Sequence, residues 1–291
     1  MNMKSSELIL NRDGSIYHLH LHPEQVAPLV ITVGDPERVA KVSRYFDRVE
    51  HRARKREFVT HTGWLGKQRL SVVSTGIGTD NVDIVLNELD ALFNIDLENR
   101  VPKPRPTSLT FIRIGTAGSL QEEVPVDSWV ASSGGLGLDG LMQFYQAPAM
   151  QNHPLVTALR EHATEQWDFP VSPYFSEGNP DLLRCFSQGF HHGITATNSG
   201  FYGPQGRRLR APLRQPNYLD LLQAFEYQRE KIVNLEMETA GIYGLANLLG
   251  HRAVSLNAIL ANRPSGTFSR NPEQTVRQLI EHALEKISEG T

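Results

Sequence analysis

The chain is short of several things, and each shortage removes a class of protein. Only one of its 291 residues is cysteine, Cys185, so no disulfide can close within the chain and a reducing compartment is the simpler expectation. No apolar run nears the roughly 20 residues that a membrane-spanning helix needs. The opening residues, MNMKSSELILNRDG, lack the apolar core and small-residue cleavage site of a secretory signal. Neither sign of charge dominates: 29 Lys and Arg against 32 Asp and Glu leave a net charge of −3 at pH 7. That excludes a general nucleic-acid or anionic-membrane surface, so any anion site must be local. Repeats and low-complexity segments are absent, no Ser-His-Asp set or activated cysteine can be picked out, and the glycine run at Gly134–Gly140 does not have the GxGxxG spacing of a dinucleotide loop. A soluble, cytoplasmic protein is expected. The 40% hydrophobic and 21% charged residues are ordinary globular material, long enough to bury a sizeable core.

What is present centres on Phe111 to Leu120, FIRIGTAGSL. Apolar residues closed by glycines read as a buried strand ending in a tight turn at Gly115. Arg113 sits inside that strand, and a guanidinium removed from water needs a partner. The partner can be a protein carboxylate or a bound anion, and this stretch alone leaves both open.

The same strand, glycine and helix order recurs along the chain. Leu29 to Val33 is a strand ending at Gly34, with Asp35 as N-cap and Pro36 opening a helix to about Phe46. Arg38 in that first turn opposes the helix dipole, which a bound anion or plain solvent exposure would explain. Arg52 to Phe58, RARKREF, is basic and reads as a solvated face. Leu70 to Ser74 is a strand, Gly76 and Gly78 its turn, and Thr79 to Phe93 an amphipathic helix. Val101 to Thr107 is a proline-stiffened loop. Ser128 to Ser132 reads as a strand ending at the glycine run, Leu155 to Gln166 as a helix, and Ile194 to Thr197 as a short strand. Phe201 to Arg208, FYGPQGRR, is a loop holding aromatics, an amide and two arginines, groups that suit a planar ring with carbonyl and N–H edges. Ile232 to Leu235 is a strand followed by Glu236, Met237 and Glu238. Those glutamates could complement the dipole of the helix Thr239 to Leu249 or accept hydrogen bonds from sugar hydroxyls. Ala253 to Ala261 is a further strand, and Pro272 to Ile287 the last helix. At least six strands among three or four helices predict an α/β single domain, 1–291, with a mixed, largely parallel central sheet flanked by helices. Functional residues should gather at the carboxyl ends of the strands.

In this order the motifs GDPER (Gly34–Arg38), REF (Arg56–Phe58), STGIG (Ser74–Gly78), RIGTAG (Arg113–Gly118), FYGPQGR (Phe201–Arg207) and LEMETA (Leu235–Ala240) resemble the nucleoside phosphorylase family that includes the uridine and purine nucleoside phosphorylases. The resemblance covers nearly the whole chain, and the FYGPQGR loop is similar to that of its uridine-specific members. It implies a phosphate site from Gly34, Arg38, Arg113 and Thr116, completed by Arg56 of a neighbouring subunit. Ribose would be held by Thr116, Glu236, Met237 and Glu238, with His18 from the neighbour. Uracil would rest near Phe201 and meet Gln205, Arg207 and Arg263. Arg113, Gln205, Arg207 and Glu238 would carry the chemistry. The expected reaction is reversible phosphorolysis of uridine to uracil and ribose 1-phosphate, with phosphate as co-substrate and no cofactor. Glu57 falls where some members hold a monovalent cation, but Asn81 stands where a serine would be, so no metal is expected.

Departures from the family pattern carry information. Purine members use an aspartate after the late strand, and Ala258–Gly266, AILANRPSG, has no acid. The long segment at 208–228 resembles the extended form of dimeric members, so a homodimer with shared sites is expected ahead of a hexamer; residues 1–25 are expected to form an N-terminal arm. The competing expectations are action on deoxyuridine, thymidine or a purine nucleoside, by phosphorolysis or hydrolysis, and a non-catalytic nucleoside-binding protein on the same fold.

Overall fold

The computed structural model describes residues 2–163, 167 and 169–290. Residues 2–25 pack down onto the body, with Leu8, Ile16, Leu19 and Leu21 buried in one core cluster beside Val82, Leu86 and Leu89. β1 (Leu29–Val33) then leads into α1 (Pro36–Ser43), where the Asp35 side chain accepts from the Glu37 backbone N–H at 2.9 Å, as an N-cap should. β2 (Arg48–Lys55), β3 (Phe58–Leu65) and β4 (Gln68–Ser74) form an antiparallel ribbon that brings β4 back parallel to β1. After α2 (Thr79–Asn94) come a minor pair, β5 (Ile95–Asp96) and β6 (Val101–Pro102), and then β7 (Thr110–Ser119). The chain continues through β8 (Trp129–Leu138), α3 (Pro148–Gln151), α4 (Pro154–Ala163), β9 (Tyr174–Glu177), α5 (Pro180–Cys185) and β10 (His191–Asn198). It closes with α6 (Tyr218–Ala224), β11 (Glu226–Tyr227), β12 (Glu230–Glu236), α7 (Thr239–Leu249), β13 (Arg252–Asn262), β14 (Thr267–Phe268) and α8 (Pro272–Gly290).

The main sheet has the order β11-β12-β10-β8-β13-β7-β1-β4-β3-β2, and five of these nine adjacent strand pairs are parallel. β12 also pairs with β7, Asn234 opposite Ser119 and Leu235 opposite Gly118, so β7, β13, β8, β10 and β12 close on themselves. This is the mixed α/β sheet with flanking helices that the pattern predicts. One face is covered by α2 and α7, the other by α1 and α8. α7 is buried on all sides from Thr239 to Ala246.

Several elements differ from the sequence reading. β7 and β8 do not stop at their glycines but run through them, to Ser119 and Leu138. In β8 the glycines seat rings of β9: a Cβ on Gly134 would lie 2.2 Å from Phe175 Cζ, and one on Gly137 2.1 Å from Tyr174 Cε1. β7 is carried through by β13, which pairs along its full length. The basic run Arg52–Phe58 is mostly the edge strand β2, with exposed Arg52 and Arg54 alternating with part-buried Ala53 and Lys55. Such charged side chains blunt an open sheet edge. The first helix ends at Ser43 rather than near Phe46. The helix expected over Leu155–Gln166 is described as α4 to Ala163, and 164–166 lie outside the described residues. The proline loop supplies β6. Within 208–228, Tyr218 and Leu222 of α6 are buried with Leu155, Leu159 and Phe225.

Candidate active site

A cavity of about 730 Å³ opens at the carboxyl ends of β1, β4, β7 and β12, within the size range of small-molecule sites. Its floor is the β7 segment from Arg113 to Gly118, with Gly34 and Arg38 on one side and the Phe201–Arg207 loop on another.

Arg113 is 5% exposed and faces two carboxylates: its Nη2 lies 2.5 Å from Glu238 Oε2 and 3.0 Å from Glu236 Oε2. Nη1 donates to Asn257 Oδ1 at 2.6 Å. Burial works against its charge, but Glu236 and Glu238 outweigh that and hold its pKa above the usual value. Of the two partners left open by the sequence, the protein carboxylate is the one present, although the guanidinium also borders the cavity. Gly115, two residues on and on the same face of β7, makes the seat. A Cβ there would lie 2.0 Å from Arg113 Nη1 and 2.4 Å from Cζ.

The two glutamates divide their tasks. Glu236 Oε2 accepts the backbone N–H groups of Glu238 and Thr239 at 2.8 and 2.9 Å, satisfying the start of α7, while Oε1 accepts the Thr197 hydroxyl at 2.6 Å. Burial pushes its pKa up, with Arg113 and the Thr197 hydroxyl pulling the other way. Glu238 Oε1 accepts the Gly78 N–H at 2.7 Å, tying the α7 junction to the glycine turn before α2. Met237 borders the cavity beside them.

Arg38 behaves differently from Arg113. It is half-buried, its Nη1 donates to the Ile114 carbonyl at 3.2 Å, and among the described residues no carboxylate stands within ion-pair distance of it. Burial lowers its pKa, and the neighbouring Arg113 charge adds to this against the pull of Asp35. It is therefore not the solvated surface cation that its position in a first turn allows. Gly34 and Thr116 border the cavity with it.

At the loop, Gln205 is 3% exposed and its Oε1 accepts Arg207 Nη1 at 2.7 Å, which also donates to the Phe201 carbonyl at 2.7 Å. The Arg207 guanidinium lies 3.8 Å over the Phe201 ring, a cation–π contact. The Tyr218 hydroxyl donates to the Pro204 carbonyl, so the 208–228 segment braces the loop. Arg263 bonds through its N–H to the Ser119 carbonyl at 2.9 Å, and its charge, after burial, helps lower the Arg207 pKa. Two apolar residues missed by sequence reasoning, Phe268 and Ile77, border the cavity while 65% and 67% exposed. Phe268 lies on the two-residue β14, too short for a periodic signal; a lone aromatic after the Gly266 turn was the one available hint.

Three expected site residues do not border this chain's own cavity: Arg263, His18 and Arg56. His18 Nδ1 pairs with Glu88 Oε1 at 2.7 Å, and Arg56 sits at the turn between β2 and β3 with φ 55°, while the adjacent Glu57 does border the cavity. A left-handed arginine at a two-residue turn occupies a place glycine usually fills.

This architecture, an α/β sheet with an arginine-lined cavity at its strand ends, belongs to a defined class. The chain is a member of the phosphorylase superfamily, whose family model matches residues 28–289. It is 29% identical to a uridine phosphorylase of Thermococcus kodakarensis over 98% of this chain and 91% of that protein. It is 27% identical to a uridine phosphorylase of Escherichia coli, over 94% and 96%. Among solved structures it resembles the Trypanosoma brucei nucleoside phosphorylase, described as showing uridine phosphorylase activity, with a TM-score of 0.87 and 28% identity over 97% of this chain and all of the other.

Proposed function

We propose that the chain is a uridine phosphorylase, cleaving uridine with phosphate to uracil and ribose 1-phosphate. The observation that carries this is one cavity bordered both by Arg38, a part-buried cation with no carboxylate in ion-pair reach among the described residues, and by the Gln205–Arg207 pair. Phosphate held by Arg38, Gly34 and Thr116 attacks C1′ as the bond to the base breaks. The fixed geometry makes the step effectively unimolecular, an effect of several kcal/mol. Glu238 and Met237 grip the ribose hydroxyls. Arg113 borders the phosphate while holding Glu238 in place. Arg207, itself held on Gln205 Oε1, leaves the amide N–H groups of Gln205 and its own remaining donors for the base carbonyls, where negative charge develops. The phosphate itself faces the cationic character at C1′. No side-chain nucleophile and no cofactor is called on.

A pyrimidine is favoured because Ala258–Gly266 offers no acid to protonate a purine. The Asn262 amide there is fully engaged, donating to the Gln121 and Val124 carbonyls and accepting from the Ser265 N–H. Arg56 and His18 serve a neighbouring copy in a homodimer with shared sites, the reading supported by their position away from this chain's own cavity. Among the described residues no helix is long and apolar enough to cross a membrane, and a cytoplasmic role in pyrimidine salvage fits the proposed reaction. The test is the ultraviolet absorbance change on adding uridine with and without phosphate. Phosphate-dependent release of uracil is expected. Release without phosphate would point to a hydrolase, and binding without turnover to a nucleoside-binding protein.

A further inference from the structure

A second cavity, about 690 Å³, shares Arg38, Thr116 and Leu260 with the first and is otherwise walled by α1 and the start of α8. Its wall carries five cations, Arg38, Lys41, Arg44, Arg270 and Arg277, against one carboxylate, Glu273. The chain as a whole is net negative, at −3. Both helices offer the favourable order for pairing, a glutamate four residues before the cation, in Glu37–Lys41 and Glu273–Arg277. Neither pair closes, although an i,i+3 charge pair does form further along α8, at Lys286–Glu289. Among the described residues none of the five cations has a carboxylate within ion-pair distance; Arg44 donates instead to the Tyr45 hydroxyl at 2.5 Å. Asn271 and Pro272, where α8 begins, border the same cavity, so the positive end of a 19-residue helix adds to the field. A concave wall of one sign focuses potential and concentrates counter-ions.

We propose that this basic cavity is an outer site for a phosphate group, holding a second phosphate next to the one Arg38 binds for the reaction. The ligand chemistry is a small dianion, either inorganic phosphate or an aliphatic phosphate monoester such as a sugar phosphate. Its role as a loading site for the co-substrate rests on the phosphorolysis reading; the binding itself does not. The site shares Arg38 with the reaction cavity, so a phosphate held there raises the local supply without touching the nucleoside.

The test is the triple variant Lys41→Gln/Arg270→Gln/Arg277→Gln. All three side chains are exposed and none borders the reaction cavity, so fold and turnover should survive. Equilibrium dialysis with labelled inorganic phosphate should give two phosphates per chain in the wild type and one in the variant. In kinetics, the phosphate KM should rise about three- to tenfold and lose salt dependence, with kcat and the nucleoside KM unchanged. One phosphate per chain in the wild type, or two in the variant, would overturn the proposal, and this arm reads out even if no phosphorolysis is found. Displacement of the second phosphate by glycerol phosphate assigns the site to phosphate esters as well; no displacement restricts it to the free ion.

Discussion

Replacing Arg113 by methionine should unfold this protein more readily at neutral pH than in acid. The substitution takes away the only cation within ion-pair distance of Glu236 and Glu238 among the described residues, and both carboxylates are buried, 4% and 6% exposed. Removing one partner of a buried pair costs about 3–5 kcal/mol, against a total stability of about 5–15 kcal/mol. One cation here serves two carboxylates, so the upper part of that range is expected. The hydrogen bonds that remain, from Thr197, Gly78 and the α7 N–H groups, limit the loss. Burial already raises the Glu236 pKa, and Arg113 is the largest opposing influence. Without it the folded-state pKa rises further above the unfolded one. A carboxyl raised on folding destabilises the fold increasingly as pH climbs past its unfolded value, so the deficit is greatest near neutrality and shrinks toward the carboxylate range. Urea unfolding of wild type and Arg113→Met across about pH 5 to 8 measures this, and Glu236→Gln added to the variant should recover part of the loss. A deficit under about 1 kcal/mol, or one that does not change with pH, would refute charge compensation as the task of Arg113.

Four further outcomes follow from the same geometry. Gly115→Ala should displace the Arg113 guanidinium, whose Nη1 lies 2.0 Å from the added Cβ, and lower both melting temperature and turnover, whereas an unaltered enzyme would show that the seat adapts. Arg38→Gln should raise the phosphate KM roughly 10- to 100-fold, the value of about 1.5–3 kcal/mol for a hydrogen bond to a charged group, with stability nearly unchanged; initial rates against phosphate concentration decide it. Arg207→Met should lower kcat about 100-fold, as loss of one preorganised donor does, and mixing Arg56→Ala with Arg38→Gln protein should restore activity in hybrid dimers if a neighbour completes each site.

Much of the fold was legible because local chemistry matched the tertiary outcome. β1 and α7 lie at the predicted residues since an apolar run closed by Gly34 and a helix stopped by Gly250 leave few alternatives. Asp35 capped its helix as its position implied. β2 was hidden by its charge, because an edge strand half in water need not look apolar. The glycines of β7 and β8 read as turns because what they accommodate, the Arg113 guanidinium and the rings of Tyr174 and Phe175, is supplied by other side chains that the glycine spacing does not reveal.

The sequence by itself determined that a buried arginine stood beside glycines in an apolar strand and that an amide and an arginine shared one loop, since residue type and spacing decide both. Only the tertiary structure decided what Arg113 pairs with. Its carboxylate at Glu238 lies 125 residues away along the chain, and long-range pairing in a sheet closed by β12 on β7 is set by packing rather than by any local pattern. The same folding left Arg38 part-buried with no carboxylate in ion-pair reach among the described residues, and so made it, more than Arg113, the cation most available to an anion.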